Sequence, residues 1–195
     1  MRPPLYPPGA RALQDQFDTT RLADRLEERA VADALEDWQV KAIERATFFF
    51  LATVDVDGWP DVSYKGGAPG FVAVLDRSTL AFPSYDGNGM FRSMGNIADT
   101  GKASMLFVDF DRQKRIRVHA SAVLHHEPEW LDRFAEAELV VELRIGRSFS
   151  NCPRYLHNLR DGVLSPHAPR EGHTVAQPEW KAMPEWQEVL PDRES

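Results

Sequence analysis

The hydrophobic period of this chain changes at Phe48, and that change limits the folds open to it. Upstream, residues 11–45 repeat their apolar side chains at helical spacing, with Leu13, Phe17, Leu22, Leu26, Ala30 and Leu35 as the inward positions. The spacing predicts two helices, with Asp18-Thr19-Thr20 as the cap candidate for the second and the next helix running into Ile43. Then comes Phe48-Phe49-Phe50-Leu51-Ala52-Thr53-Val54, a continuous β-favouring run ended by the hairpin signal Asp55-Val56-Asp57-Gly58. Further strands are predicted at 61–65, 71–75, 80–83, 103–110 and 115–124. Short spacings of this kind suit an antiparallel barrel rather than alternating βα units. A helix over 127–140, a last strand at 141–145 and a closing segment at 151–159 complete the pattern.

With 195 residues, 43% of them hydrophobic, the chain can bury one core of ordinary size. The expected division is a helical extension over 1–46, a barrel domain over 47–160 and an irregular tail over 161–195. The net charge of −7 argues against a nucleic-acid partner held by phosphate electrostatics. Between 47 and 124, however, eight Lys and Arg balance eight Asp and Glu, so the middle of the chain is neutral. The stretch 171–195 is acidic, and Trp180 and Trp186 imply that it packs on something. No apolar run approaches the roughly 18 residues of a spanning helix, and 1–10 is proline-rich without an apolar core. A lone cysteine, Cys152, allows neither an intrachain disulfide nor a multi-thiolate metal site, which makes the cytoplasm the expected home.

Within the neutral middle, Ser84-Tyr85-Asp86-Gly87-Asn88-Gly89-Met90-Phe91-Arg92-Ser93 leaves an apolar strand and enters a short helix. Gly87 and Gly89 permit positive φ, Ser84 and Asn88 offer side-chain hydrogen bonds, and a helix start presents free N–H groups to an anion. The same residues also suit an ordinary turn and cap. Alternation after Lys114 sends Ile116, Val118, Ala120 and Ala122 to one face and Arg115, Arg117, His119 and Ser121 to the other. The two arginines therefore point the same way, either into solvent or toward a ligand.

The order of Thr53 to Pro60, Ser63-Tyr64-Lys65-Gly66-Gly67, Gly70-Phe71-Val72, the Gly87 to Ile97 turn and helix, Lys102 to Phe107 and Arg115 to Ala120 resembles the pyridoxamine 5′-phosphate oxidase-like flavoproteins. Asn151-Cys152-Pro153-Arg154-Tyr155 is similar to a closing motif of a less characterised branch of that superfamily. The resemblance implies a mainly β fold with flanking helices (α+β), a six-stranded antiparallel split β-barrel of the FMN-binding type. It also implies a homodimer with FMN at the interface and sites lined by both chains. The cofactor contacts it implies are Val62, Ser63, Tyr64 and Lys65 on one strand, Ser84, Asn88, Gly89, Met90 and Arg92 around the phosphate, and Arg115, Arg117 and Arg154.

The departures are informative as well. The oxidase carries a Ser-Arg-Lys turn where this chain has Asn88-Gly89-Met90, so Lys65 and Arg92 are the candidates to balance the phosphate, with N–H groups of Gly89 and Met90. Pyridoxine phosphate oxidation is therefore not the expected activity. The expected one is an FMN-dependent oxidoreductase acting on a small molecule, with NADH or NADPH as a possible donor. The other readings are a flavin carrier without turnover, or a related barrel that binds F420 or haem. Haem would need a ligand such as His119 or His157. The six histidines show no metal-ligand spacing, no membrane partner is expected, and Cys152 reads as a packed thiol.

Overall fold

The computed structural model describes residues 4–112 and 114–150, together with positions 171, 172, 174, 182 and 184. Three helices come first: α1 (Pro8–Gln16), α2 (Thr20–Ala30) and α3 (Asp37–Arg45). The strands are β1 (Phe48–Val54), β2 (Pro60–Gly66), β3 (Ala73–Asp76), β4 (Thr79–Tyr85), β5 (Lys102–Asp109), β6 (Lys114–His125) and β7 (Ala137–Ser150). Helix α4 (Arg92–Thr100) lies between β4 and β5, and the single turn α5 (Pro128–Leu131) lies between β6 and β7. The strands form one antiparallel sheet of seven, ordered β2-β1-β5-β6-β7-β4-β3. This is the split barrel expected from the sequence, with seven strands instead of six.

Alternation decides what each strand buries. Phe49, Leu51, Met105, Phe107, Ile116, Val118 and Leu143 point inward and are closed to solvent, joined by Phe82 from β4 and Ile97 from α4. The opposite, outer face carries Phe48 and Phe50 of β1, Val62 and Tyr64 of β2, and Arg115, Arg117 and His119 of β6. The split predicted for β6 holds: Ile116, Val118 and Ala122 are buried and Ala120 packs against the core.

Two sequence expectations are corrected. The helix over 127–140 is a single turn, α5, capped at Asp132, and Glu136, in a left-handed conformation (φ 60°), turns the chain into β7. Ala137 then starts a strand of 14 residues, in which Val140 and Val141 pair with Pro83 and Phe82 of β4, and ladder bonding on both sides overrides helical spacing. Upstream, Leu35 is buried as expected, but Leu13, Phe17, Leu22, Leu26 and Ala30 are exposed, and Ala23 is the buried apolar residue of the first two helices. Those helices hold each other through Tyr6 Oη donating to the Ala23 carbonyl and an Arg11–Asp24 ion pair of 2.6 Å. Helix α3 instead reaches the core through Ile43, and its Gln39 donates to Ser148 Oγ at 3.1 Å.

Candidate functional site

Strand β2 ends the sheet order and, among the described residues, pairs with β1 alone. Alternation turns Asp61, Ser63 and Lys65 toward α4 and leaves Val62 and Tyr64 on the outer face. Helix α4 starts after Phe91, whose backbone is left-handed (φ 48°, ψ 23°) and whose side chain supplies no cap. The first N–H groups of α4 have no intrahelical acceptor and carry the positive end of its dipole. Ser63 Oγ and Ser93 Oγ lie 2.9 Å apart and fasten β2 to that helix start.

Between these elements lies a cavity of about 250 Å³. Of the residues expected from the sequence, Val62, Ser63, Lys65, Ser84, Asn88, Gly89, Met90 and Arg92 line it. Tyr64 does not: it points to the outer face and stacks on Phe48, with ring centroids 5.5 Å apart and planes 12° from parallel. Arg115 and Arg117 lie on the outer face of β6, with the Arg117 guanidinium 5.5 Å above the Phe149 ring. Arg154 lies outside the described residues, as do Cys152, Tyr155 and His157. Seven further lining residues were not among the expected contacts: Tyr85, Gly87, Phe91, Ser93 and Met94 within the turn and helix start singled out from the sequence, and Asp61 and Glu138 outside it. Alternation from Ser63 and Lys65 pointed to Asp61, whereas Glu138 was hidden in the stretch read as helix.

The electrostatics are nearly balanced. Arg92 Nε lies 3.6 Å from Asp61 Oδ1, so this guanidinium already faces a carboxylate. Burial holds the Lys65 ammonium below the usual lysine range, and nearby Asp61 pulls the other way. Burial also pushes the Tyr85 hydroxyl up to about 12, which keeps it a neutral donor at physiological pH. Met90 N–H donates to Asn88 Oδ1 at 3.0 Å, closing a small turn, so Met90 is not the anion donor expected from the sequence. Gly89 has φ +76°, and a Cβ built there would meet nothing within 4 Å, so the turn demands glycine for its backbone and leaves the cavity mouth open.

His119 lines neither this cavity nor its rim. It sits half-buried on the outer face, edge-on to Phe149 at 5.5 Å, and burial, then Arg147 and Arg117, lower its proton affinity. Among the described residues no cluster of His, Cys, Asp and Glu could hold a metal ion, and no helix is long and apolar enough to cross a membrane.

Comparison with known proteins agrees with this architecture. No curated protein matches the chain. Among solved structures, a putative pyridoxamine 5′-phosphate oxidase from Lactobacillus delbrueckii is 28% identical, with a TM-score of 0.50, over 60% of this chain and 95% of that one. An FMN-binding protein from Syntrophomonas wolfei is 16% identical, with a TM-score of 0.45, over 72% of this chain and 97% of that one. HutZ, the haem storage protein from Vibrio cholerae, is 17% identical, with a TM-score of 0.44, over 60% and 95%. The sequence model described as Pyridoxamine 5′-phosphate oxidase matches residues 35–148, which span the whole sheet up to the last turns of β7 and leave only α1 and α2 before them. With that match over most of its length and the split-barrel sheet, the chain belongs to the pyridoxamine 5′-phosphate oxidase family.

Proposed function

We propose that this protein is an FMN-dependent oxidoreductase acting on a small molecule, with FMN bound between two copies of the chain. The observation that carries the reading is the uncapped start of α4, which faces a cavity that also holds Lys65, Ser63 and Ser84. A phosphate there would receive N–H groups from the first turn of α4, a hydroxyl from Ser84 and charge from Lys65. Arg92 would contribute by loosening its contact with Asp61. When bound, FMN supplies the hydride and electron transfer, so the protein needs no nucleophile of its own. Tyr85 would donate a hydrogen bond without titrating.

Cavity size supports the pairing of two copies. About 250 Å³ falls below the ~300–1,000 Å³ of pockets that enclose a whole drug-sized ligand, so one chain would hold part of the cofactor and a second surface the rest. At the cavity Val62, Met90 and Phe91 are exposed, and so are Trp59 and Tyr64, close to Val62 in sequence, apolar surface of the kind a partner covers. Pairing across it would carry Arg115 and Arg117, which do not line their own chain's cavity, toward the neighbouring site. NADH or NADPH as donor and the cytoplasm as location belong to the same proposal. A flavin carrier without turnover and an F420-binding barrel share this cradle. A haem-binding barrel would draw its ligand from His119, which lies outside the chain's own cavity but on the same outer face as Arg117, or from His157, outside the described residues.

The test is an absorbance spectrum of the purified protein before and after FMN is added, followed by NADH or NADPH without oxygen. Flavin bands that are retained and then bleach support the oxidoreductase. Bands that persist favour a carrier. A Soret band, or no retained FMN, overturns the cofactor.

A further inference from the structure

A second cavity, of about 590 Å³, opens between the C-terminal turn of α3 and the hairpin joining β5 to β6. It shares no lining residue with the cradle at α4. Its apolar lining is Ala42 from α3, Ala46 just after that helix, Phe48 from β1, Phe107 from β5 and Ile116 from β6, with polar and charged residues at the rim. Phe48 is the middle of a column of rings. It stacks on Tyr64 at 5.5 Å and on Phe110 at 6.2 Å, with planes within 12° and 16° of parallel. Phe48 and Phe110 of that column line the cavity; the faces of Phe48 are taken by its two neighbours, so a flat ring entering the cavity extends the column at Phe110, its end.

The charges at the rim set the sign of the ligand. Arg112 is committed to Asp109, through Nη1 to Oδ2 at 3.2 Å and its backbone N–H to Oδ1 at 2.9 Å. The Lys114 ammonium rests 5.1 Å from the Trp38 ring centroid, a contact that leaves its charge unneutralised. Arg45 has no ion pair among the described residues, and Asp111 offsets one of these two cations. One positive charge is left over. We propose that this cavity is a second binding site, for a flat aromatic monocarboxylate of one or two rings, seated against Phe110 with its carboxylate at Arg45 and Lys114. The site shares no lining residue with the flavin cradle, and sedimentation scores the pairing of two copies apart from ligand binding, so its failure and theirs are told apart.

The probe is 2-naphthoate, titrated into the full-length protein after saturation with FMN and followed by calorimetry. The expected result is saturable binding, with neutral 2-naphthamide binding about tenfold or more weakly, the range of one charge-assisted hydrogen bond. Arg45→Gln is expected to weaken 2-naphthoate by a similar factor, and Phe110→Ala to weaken both probes together. All variants should keep the circular dichroism of the parent, and FMN affinity should not change. Equal affinity for acid and amide overturns the proposal. So does Arg45→Gln binding 2-naphthoate as the parent does, or no binding by the parent.

Discussion

The two faces of the same strands behave as two different molecules. On the inner face, Phe49 and Leu51 are 0% exposed and pack with Phe82, Phe107 and Met105. On the outer face, Phe48, Phe50 and Tyr64 are just as aromatic, yet Tyr64 is 62% and Val62 is 64% exposed. Alternation therefore separates the faces without saying which one the chain itself covers. Apolar character on an uncovered face points to a covering partner, not to a core.

That contrast can be broken most directly by mutation. Leu51→Ala should cost about 2–5 kcal/mol, the range for emptying a packed core site, measured by denaturant unfolding. Val62→Ala should change monomer stability by no more than about 0.5 kcal/mol, while Val62→Asp with Tyr64→Asp should shift sedimentation toward the monomer. Similar losses for Leu51→Ala and Val62→Ala would show that the outer face is covered within one chain.

A second pair of substitutions sharpens the contrast between the cradle's two cations. Lys65→Ala should weaken FMN by about 1.5–3 kcal/mol, and Arg92→Ala by less, because Asp61 already holds that guanidinium. Since the Lys65 pKa lies below the usual lysine range, FMN affinity should begin to fall at a lower pH than an ordinary lysine would give, and the Ala variant should lose that limb. Calorimetric titration across pH reads both effects.

Smaller effects test the ends of the elements. Phe91 is exposed in a left-handed conformation that glycine adopts freely, so Phe91→Gly should raise stability by about 1 kcal/mol. His119 has a folded pKa below its unfolded value, so the unfolded chain binds the extra proton. Stability should therefore be complete above about pH 6.5 and fall as pH drops toward the lowered folded value. His119→Gln should flatten that acid-side loss in thermal melts at pH 5 and pH 8. An unchanged slope would mean that neither burial nor the Arg147 and Arg117 charges lower the proton affinity of this ring.

The strands were legible because each carries its own alternation. β1 matches the predicted 48–54 residue for residue, and the other predicted strands fall within two residues of those observed apart from β7, which runs further at both ends. The 127–140 stretch was not legible, since Leu139 and Val140 read equally well at helical spacing and only pairing with β4 and β6 resolves them. The exposure of Leu13, Phe17, Leu22 and Leu26 was hidden for a related reason: an apolar stripe announces burial against something without naming it. In the cradle, the turn and β2 were readable as a unit. The Asp61–Arg92 contact and the capture of Met90 N–H by Asn88 were not, because both depend on tertiary distances.

The sheet order has a consequence for how the chain is made. β7, the last described strand, inserts between β6 and β4. Until residue 150 has left the ribosome, the β3–β4 hairpin has no neighbour in the sheet, and β6 shows an open edge. Closure therefore waits for β7 to emerge, and the two halves of the sheet meet through contacts of long sequence separation, which slow folding. A nascent chain stopped before Ala137 would present two adhesive edges at once, so chaperone occupancy should peak at that length and drop once β7 emerges.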